Sequence, residues 1–244
     1  MKNALLYLYT GWVFAVFFAL SVLFLPFMTV CFMFGTRLSF LGYHIYWLWS
    51  WLLSKLLFVR YVYEGLENIK EKSYIYVSNH TSFLDPPGLR MAIKGEFRAV
   101  AKKELTKIPV FGFIVKGSTI VVDRSNAESR ANSIKQMMAM LDKGISILIF
   151  AEGTQNRTKE PLQPFKDGAF RIAVETQKKI IPMTVIGAAK LMPPRGFPFR
   201  PGVIKVKVGK EIDVAGLTSK EVSSLKEKTY QAMLEMLTQN RQLT

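Results

Sequence analysis

Of the chain's two histidines, His80 has a carboxylate five residues on, in Ser78-Asn79-His80-Thr81-Ser82-Phe83-Leu84-Asp85. An imidazole steadied by a carboxylate is the ordinary arrangement of a general base. Five residues of α-helix turn through about 500°, so on a single helix the two side chains would face apart. They meet only if the segment is a turn leaving a strand. Apolar Tyr74-Ile75-Tyr76-Val77 precedes it and Pro86-Pro87-Gly88 follows. A residue before proline is pushed out of the helical region, whereas proline suits a first helical turn. His80 is therefore expected on the turn, with Asp85 at the head of a helix. On these residues alone His80 reads equally as a base or as a turn residue bonded to backbone, and Asp85 serves as an N-cap under either reading. Ser82 completes a Ser, His and Asp set but lacks the Gly-x-Ser-x-Gly elbow. That favours direct transfer, with His80 activating a substrate hydroxyl, over an acyl-serine intermediate.

Further strands are expected at residues 97–101, 119–122, 145–150, 180–186 and 203–208. Helices are expected at 109–116, at 167–177, and after the two capping boxes Ser125-Asn126-Ala127-Glu128 and Thr218-Ser219-Lys220-Glu221. The first of those capped helices ends near Lys143-Gly144. An irregular loop at 193–202 holds four prolines with Arg195, Phe197, Phe199 and Arg200 between them. This alternation predicts an α/β fold with a mainly parallel sheet flanked by helices. Such sheets bind ligands outside the carboxyl ends of their strands. His80, Lys103, Arg124 and Glu152 each closely follow an expected strand, so four distant segments converge on one edge. The turn Glu152-Gly153-Thr154, with Gly153 at positive φ and Arg157 nearby, brings N–H groups, a hydroxyl and a cation together, which suits a phosphate or polar head group. Each also has a plainer reading: Lys103 as a solvated charge, Arg124 as a partner of Asp123, Glu152-Gly153-Thr154 as a tight turn.

The element that must bring this edge to its substrate lies at the N-terminus. Residues 3–36 carry no charge and meet the length of a transmembrane helix, with Pro26 as a kink point. A secretory signal is disfavoured, because no small-x-small cleavage pattern follows and the apolar character continues past residue 50. Residues 38–59 read differently. Ser39, Tyr43, Tyr46, Ser50 and Ser54 make a weakly polar face, while Trp47, Trp49 and Trp51 belong at a wet–apolar boundary. A helix lying in the membrane interface fits best, with His44 as an interfacial polar residue and Gly35-Thr36-Arg37 as the turn before it. One span plus an interfacial helix and a hairpin that dips in without crossing both satisfy the pattern. The hairpin is favoured, since it keeps Lys2, Arg37, Lys55 and Arg60 on one side. A buried helical pair docked on the globular part is the competing expectation. Residues 1–60 are thus read as a membrane-anchoring segment and 61–244 as the α/β domain.

Half of the 244 residues are apolar and the net charge is +15. The four basic and no acidic residues before position 61 account for part of it; +15 less 4 leaves +11 on the remainder. So basic a chain implies an anionic partner, and the apolar N-terminus favours a membrane surface or phosphorylated lipid over nucleic acid, which is not expected. The single cysteine, Cys31, excludes an intrachain disulfide and argues against a cysteine-ligated zinc site.

Three blocks in order, Asn79-His80-x-x-x-x-Asp85, the Arg124 segment and Phe150-Ala151-Glu152-Gly153-Thr154, resemble the glycerolipid acyltransferase family, nearest to its bacterial 1-acyl-glycerol-3-phosphate branch. Lys102-Lys103-Glu104-Leu105 and Ile181-Pro182-Met183 are similar to family blocks too, and the likeness covers roughly residues 61–208. The resemblance implies that His80 deprotonates the free hydroxyl of lysophosphatidic acid, which attacks the thioester of acyl-acyl carrier protein or acyl-coenzyme A. It implies that Asp85 fixes the imidazole, that Lys103, Arg124 and Arg157 hold the acceptor's phosphate, and that Glu152, Gly153 and Thr154 shape its pocket. It calls for no metal or bound cofactor, and for a place on the cytoplasmic face of the inner membrane. The chain departs from the pattern in three places. Ala151 stands for a usual proline, Gln155 for an arginine that Arg157 would have to replace, and Ser118 for a glycine. A non-catalytic membrane protein binding anionic lipid is the rival expectation, and it gives His80 and Asp85 no task.

Overall fold

The computed structural model describes residues 2–34, 37–108, 111–123 and 125–239. Its strands are β1 (Val59–Glu64), β2 (Ile75–Ser78), β3 (Phe97–Lys102), β4 (Thr119–Val122), β5 (Ser146–Phe150), β6 (Ile180–Ile186) and β7 (Gly202–Val208). They form one sheet in the order β1-β7-β6-β2-β5-β3-β4. Alternation along the central strands sorts the core into two faces. Tyr74, Tyr76, Leu148, Ile181 and Met183 point to one side; Ile75, Val77, Ile147 and Ile180 point to the other. The second face packs on α5 (Ala127–Asp142), α6 (Gly168–Thr176) and α8 (Val222–Thr238). The first takes α3 (Asp85–Ala92) and two N-terminal helices, α1 (Lys2–Met33) and α2 (Ser39–Leu56). The short helices α4 (Phe111–Ser118) and α7 (Ala188–Leu191) complete the set.

The sheet is mainly parallel, as the alternation predicts, but β7 runs antiparallel to β6, and β1 runs parallel to β7. Two strands are therefore reversed relative to the other five. This decides what lies near the carboxyl ends of β2, β3, β4, β5 and β6. The connection from β6 to β7, α7 and the proline-rich loop, stays at that edge, and β1 starts there, directly after α2.

β1 also corrects the sequence reading, which ran the second helix to residue 59. The helix ends at Leu56, and Val59-Arg60-Tyr61-Val62-Tyr63-Glu64 pairs residue by residue with β7. β-Branched and aromatic residues at this spacing are a strand signal, masked by the apolar run before it. At α5 the cap moves by one position. Asn126 Oδ1 accepts the Ser129 N–H at 3.0 Å, while Ser125 bonds to Asp123 instead.

The two N-terminal helices are docked by one side and bare on the other. In α1, which passes unbroken through Pro26, Val13, Val16, Leu20, Leu25, Met28 and Phe32 join the core, whereas Leu5, Leu8, Phe18, Val22 and Phe27 are exposed. In α2 the weakly polar stripe faces inward: Ser39, Tyr43, Ser50 and Ser54 are buried, while Phe40, Leu41, Trp47, Leu48 and Trp51 are exposed. That polarity is the reverse of a helix on a water-facing surface, and it suits an apolar solvent, in which polar groups must find partners inside the protein. α1 is long and apolar enough to cross a membrane, and this helix associates the chain with one.

The contacts behind α2 are specific. Ser39 Oγ donates to Glu96 Oε2 at 2.6 Å, and the Tyr43 hydroxyl donates to the Phe97 carbonyl. Buried Arg90 of α3 donates from Nε and Nη2 to the Tyr43 carbonyl at 3.0 and 2.8 Å, and from Nη1 to the Ile93 carbonyl at 3.0 Å. At the far end, Tyr9 and Trp12 of α1 donate to the Leu57 and Leu56 carbonyls at 2.5 and 2.8 Å, satisfying groups that a helix terminus leaves open. Replacing Arg90 by Ala is expected to lower stability by about 2–4 kcal/mol, since charged hydrogen bonds contribute ~1.5–3 kcal/mol each and are not additive. Arg90→Lys should restore only part, because one ammonium cannot reproduce the guanidinium fork. Denaturant unfolding in detergent reads both, and an unchanged midpoint for Arg90→Ala would show that α2 does not depend on this contact.

Candidate active site

The chain leaves β2 at Ser78 and is held there by a side chain that imitates backbone. Buried Asn79 donates from Nδ2 to the Val185 carbonyl at 3.0 Å and accepts the Val185 N–H on Oδ1 at 2.8 Å, extending the β2–β6 ladder past its last backbone pair. His80 comes next and is fastened on both sides by the loop after β5. Its N–H donates to Glu152 Oε1 at 3.0 Å, and its carbonyl accepts the Asn156 N–H at 2.6 Å. The imidazole stacks on Phe150, the last residue of β5, with ring centres 4.2 Å apart.

Asp85 heads α3, with prolines at its first turn, as the sequence predicts. It is fully buried, and its Oδ2 accepts three hydrogen bonds: from His80 Nδ1 at 2.9 Å, the Thr81 N–H at 2.6 Å and the Ser82 N–H at 2.8 Å. An ionised carboxylate only accepts, so Nδ1 carries a proton and the lone pair of a neutral imidazole lies on Nε2. The His80 side chain is 19% exposed. Of the two readings open for His80, the ring bonds a carboxylate and not a backbone carbonyl. A half-buried base whose free lone pair is on Nε2 can accept a proton from a bound hydroxyl. Ser82 is turned away: buried, its Oγ donates to the Met192 carbonyl at 2.8 Å and accepts the Leu84 N–H at 3.2 Å. The other histidine, His44, is exposed and bonds through Nδ1 to the Phe40 carbonyl at 2.7 Å.

The remaining expected site residues occupy different environments. Glu152 is buried, with Oε1 on the His80 N–H and Oε2 on the Gln163 N–H at 2.8 Å. Burial pushes its carboxyl pKa up, against the two N–H groups that lower it. It fastens the His80 turn from below. Gly153 has φ +76°, and its N–H closes a turn onto the Phe150 carbonyl at 2.9 Å; Thr154 is exposed. Lys103 follows β3, exposed, its Nζ 3.1 Å from Asp123 Oδ2. The Ser125 hydroxyl, and then Lys103, hold the Asp123 carboxyl down at about 2. Strands lie about 4.8 Å apart, so β3, two places from β2, sets Lys103 roughly 10 Å along the edge from His80. Arg124 lies outside the described residues. Gln155 is 9% exposed, and its buried side-chain nitrogen has no partner among the described residues. Arg157 is exposed, without an ion pair to a described residue, so the two do not share one position.

Sequence reasoning gave no role to Asn79, Phe150, Asn156 or Gln163. Asn79 and Phe150 stand inside the quoted motifs, but nothing in their spacing tells that one would bridge strands and the other floor the imidazole. Asn156 and Gln163 act through backbone N–H, for which residue type carries no signal.

A family model described as Acyltransferase matches residues 60–186, more than half of the chain. The chain belongs to the acyltransferase family. The matched part of the chain runs from β1 through β6 and holds His80, Asp85, Glu152 and their fastenings. A chloroplastic 1-acyl-sn-glycerol-3-phosphate acyltransferase of Brassica napus is 35% identical over 133 residues, which are 53% of this chain and 38% of that protein. A 1-acyl-sn-glycerol-3-phosphate acyltransferase of Saccharomyces cerevisiae is 31% identical over 176 residues, 71% of this chain and 58% of that one. The chain thus spans less than two thirds of the length of either relative. The crystal structure of the 1-acyl-sn-glycerophosphate (LPA) acyltransferase PlsC from Thermotoga maritima superposes with a TM-score of 0.72 at 25% identity, covering 96% of both chains. That likeness extends over the N-terminal helices as well as the sheet.

Glu152→Gln sets an amide NH₂ against a backbone N–H that now meets an oxygen, and should cost about 1–3 kcal/mol. Because burial raises the Glu152 pKa in the folded state, the unfolded chain gives up its proton first as pH rises. The contribution of this group is therefore full below the ordinary glutamate range and lost as pH rises through the elevated folded value. The stability gap between parent and Glu152→Gln should narrow as pH rises across that window. A gap independent of pH in paired unfolding curves would contradict this account.

Proposed function

We propose that the protein transfers a fatty acyl chain from an acyl thioester carrier to the sn-2 hydroxyl of 1-acyl-glycerol-3-phosphate, giving phosphatidic acid. The observation that carries this reading is the triple hydrogen bond at Asp85 Oδ2, which leaves the basic nitrogen of His80 outward at the carboxyl edge of the sheet. The relatives, which are 1-acyl-sn-glycerol-3-phosphate acyltransferases, supply the substrate class. In this mechanism His80 Nε2 takes the proton of the acceptor hydroxyl as its oxygen bonds to the thioester carbonyl carbon. Asp85 stabilises the imidazolium that forms. When the tetrahedral intermediate collapses, the carbon–sulfur bond breaks and the imidazolium returns the proton to the departing thiolate. No acyl-serine intervenes, in keeping with the engagement of Ser82 by Met192.

Lys103, Arg124 and Arg157 are the cations assigned to the acceptor's phosphate. Lys103 would exchange Asp123 for it, an exposed pair that is cheap to break. Gly153 and Thr154 shape the pocket floor, and Glu152 acts on it from beneath. Either acyl-acyl carrier protein or acyl-coenzyme A serves as donor; the basic surface complements both. The anchoring segment, residues 1–60, is a hairpin on the cytoplasmic face of the cell membrane, with Lys2, Arg37, Lys55 and Arg60 on the same side as the catalytic domain. A different lysolipid acceptor is the second reading, favoured by buried Gln155 at the position where the resemblance leads one to expect a cation.

His80→Ala is expected to reduce acyl transfer by a factor of about 10²–10⁴ while lipid binding persists. Purified protein supplied with lysophosphatidic acid and each donor, and in parallel with lysolipids lacking the free phosphate, reads the reaction and its acceptor. Transfer unchanged in His80→Ala removes the imidazole from the mechanism, and equal rates without the phosphate favour the second reading.

A further inference from the structure

The loop between α7 and β7 touches both the anchor and the catalytic turn. At its root the Met192 carbonyl accepts the Ser82 hydroxyl, and the Arg200 N–H closes the loop onto the Leu191 carbonyl at 2.9 Å. At its outer part the Phe199 N–H donates to Thr10 Oγ1 of α1 at 2.9 Å. Phe14 of α1, Phe197 and Phe199 form an aromatic cluster with ring centres 5.2 to 5.9 Å apart. Of the three only Phe199 is buried; Phe197 is 58% and Phe14 52% exposed. Arg195 and Arg200 flank Phe197, both exposed and without an ion pair to a described residue. In the turn that the loop holds, Phe83 is 71% exposed.

We propose that this loop is a second membrane-binding element, seating Phe197 in the acyl boundary of an anionic bilayer while Arg195 and Arg200 hold lipid phosphates beside the active-site turn. Its apolar surface is continuous with the bare face of α1 through Phe14, so a bilayer covering one meets the other. These guanidiniums, without an ion pair among the described residues, match anionic head groups, each worth a modest attraction near such a surface. The four prolines at 193, 194, 198 and 201 carry no N–H, which lowers the number of backbone donors to be desolvated at the interface. Basic residues beside an exposed aromatic are the composition of segments that lie in the head-group layer. The proposal rests on membrane association, not on the chemistry of His80.

The test places a photoreactive benzoylphenylalanine at position 197 of the full chain, reconstituted in vesicles of phosphatidylcholine with phosphatidylglycerol. The probe keeps an aromatic ring at the site. Position 18 on the bare face of α1 is the lipid-facing control and position 143, at the end of α5 on the opposite sheet face and edge, the aqueous one. Lipid adducts by mass spectrometry are expected at 18 and 197 and not at 143. Combining Arg195→Ala with Arg200→Ala should reduce the adduct at 197 at least threefold, leaving that at 18 unchanged, and the reduction should vanish in pure phosphatidylcholine. Adducts at 18 but none at 197 overturn the proposal, and a yield at 197 indifferent to both arginines overturns its electrostatic half. Absence of adducts at 18 too would overturn the membrane association beneath it. Hydrogen exchange across residues 192–200 of the unmodified protein, in the same vesicles against detergent, gives a reading independent of the probe. Protection on vesicle binding supports the proposal, and its absence counts against it.

Discussion

Asp85 Oδ2, on a fully buried side chain, accepts hydrogen bonds from one imidazole and two backbone N–H groups. A buried carboxylate is tolerated only when its lone pairs are matched. Here the matching groups are the catalytic turn itself, so the bonds that make the charge bearable also set the curvature of residues 80–82 and the tautomer of His80. Glu152 does the complementary work from the other side, closing the turn's first N–H to the loop after β5. Two buried carboxylates thus bracket one histidine: the first orients its ring, the second its backbone.

The reversal of β7 and β1 is the topological counterpart. Five parallel strands deliver His80, Lys103 and Glu152 to a common edge. With β7 antiparallel, the proline-rich loop stays at that edge, and with β1 parallel to β7, α2 ends there too. Had β7 joined the parallel set, its connection would have crossed to the far side. The hydrogen bonds from Ser82 to Met192 and from Phe199 to Thr10 then tie turn, loop and membrane helix into one short chain of contacts.

The N-terminal helices follow the physics of an apolar solvent on one side and a protein on the other. Their serines and Tyr43 face inward, where Glu96 and the Phe97 carbonyl serve as partners, and their leucines, phenylalanines and tryptophans face outward. The docked helical pair and the membrane anchor were rival expectations; the structure combines docking with bare apolar faces.

Read alone, the sequence determined the elements whose signals are local. The turn between strand and proline-led helix, the alternation that makes a mainly parallel sheet and the uncharged stretch at the N-terminus all rest on spacing and conformational preference within a few residues, whereas the bond from His80 to Asp85 was one of two equal readings until the fold chose it. Other features required the tertiary structure, because their partners are far apart in the chain or are backbone atoms. Asn79 bridges to Val185, Phe150 lies under the imidazole, Glu152 turns inward, Lys103 pairs with Asp123, and the polar stripe of α2 faces the protein. β1 was hidden because a strand after an apolar helix differs from it in periodicity rather than composition. Spacing brings charged residues to a sheet edge, but which of them faces substrate and which is buried beneath it depends on packing across strands, and that only the folded chain decides.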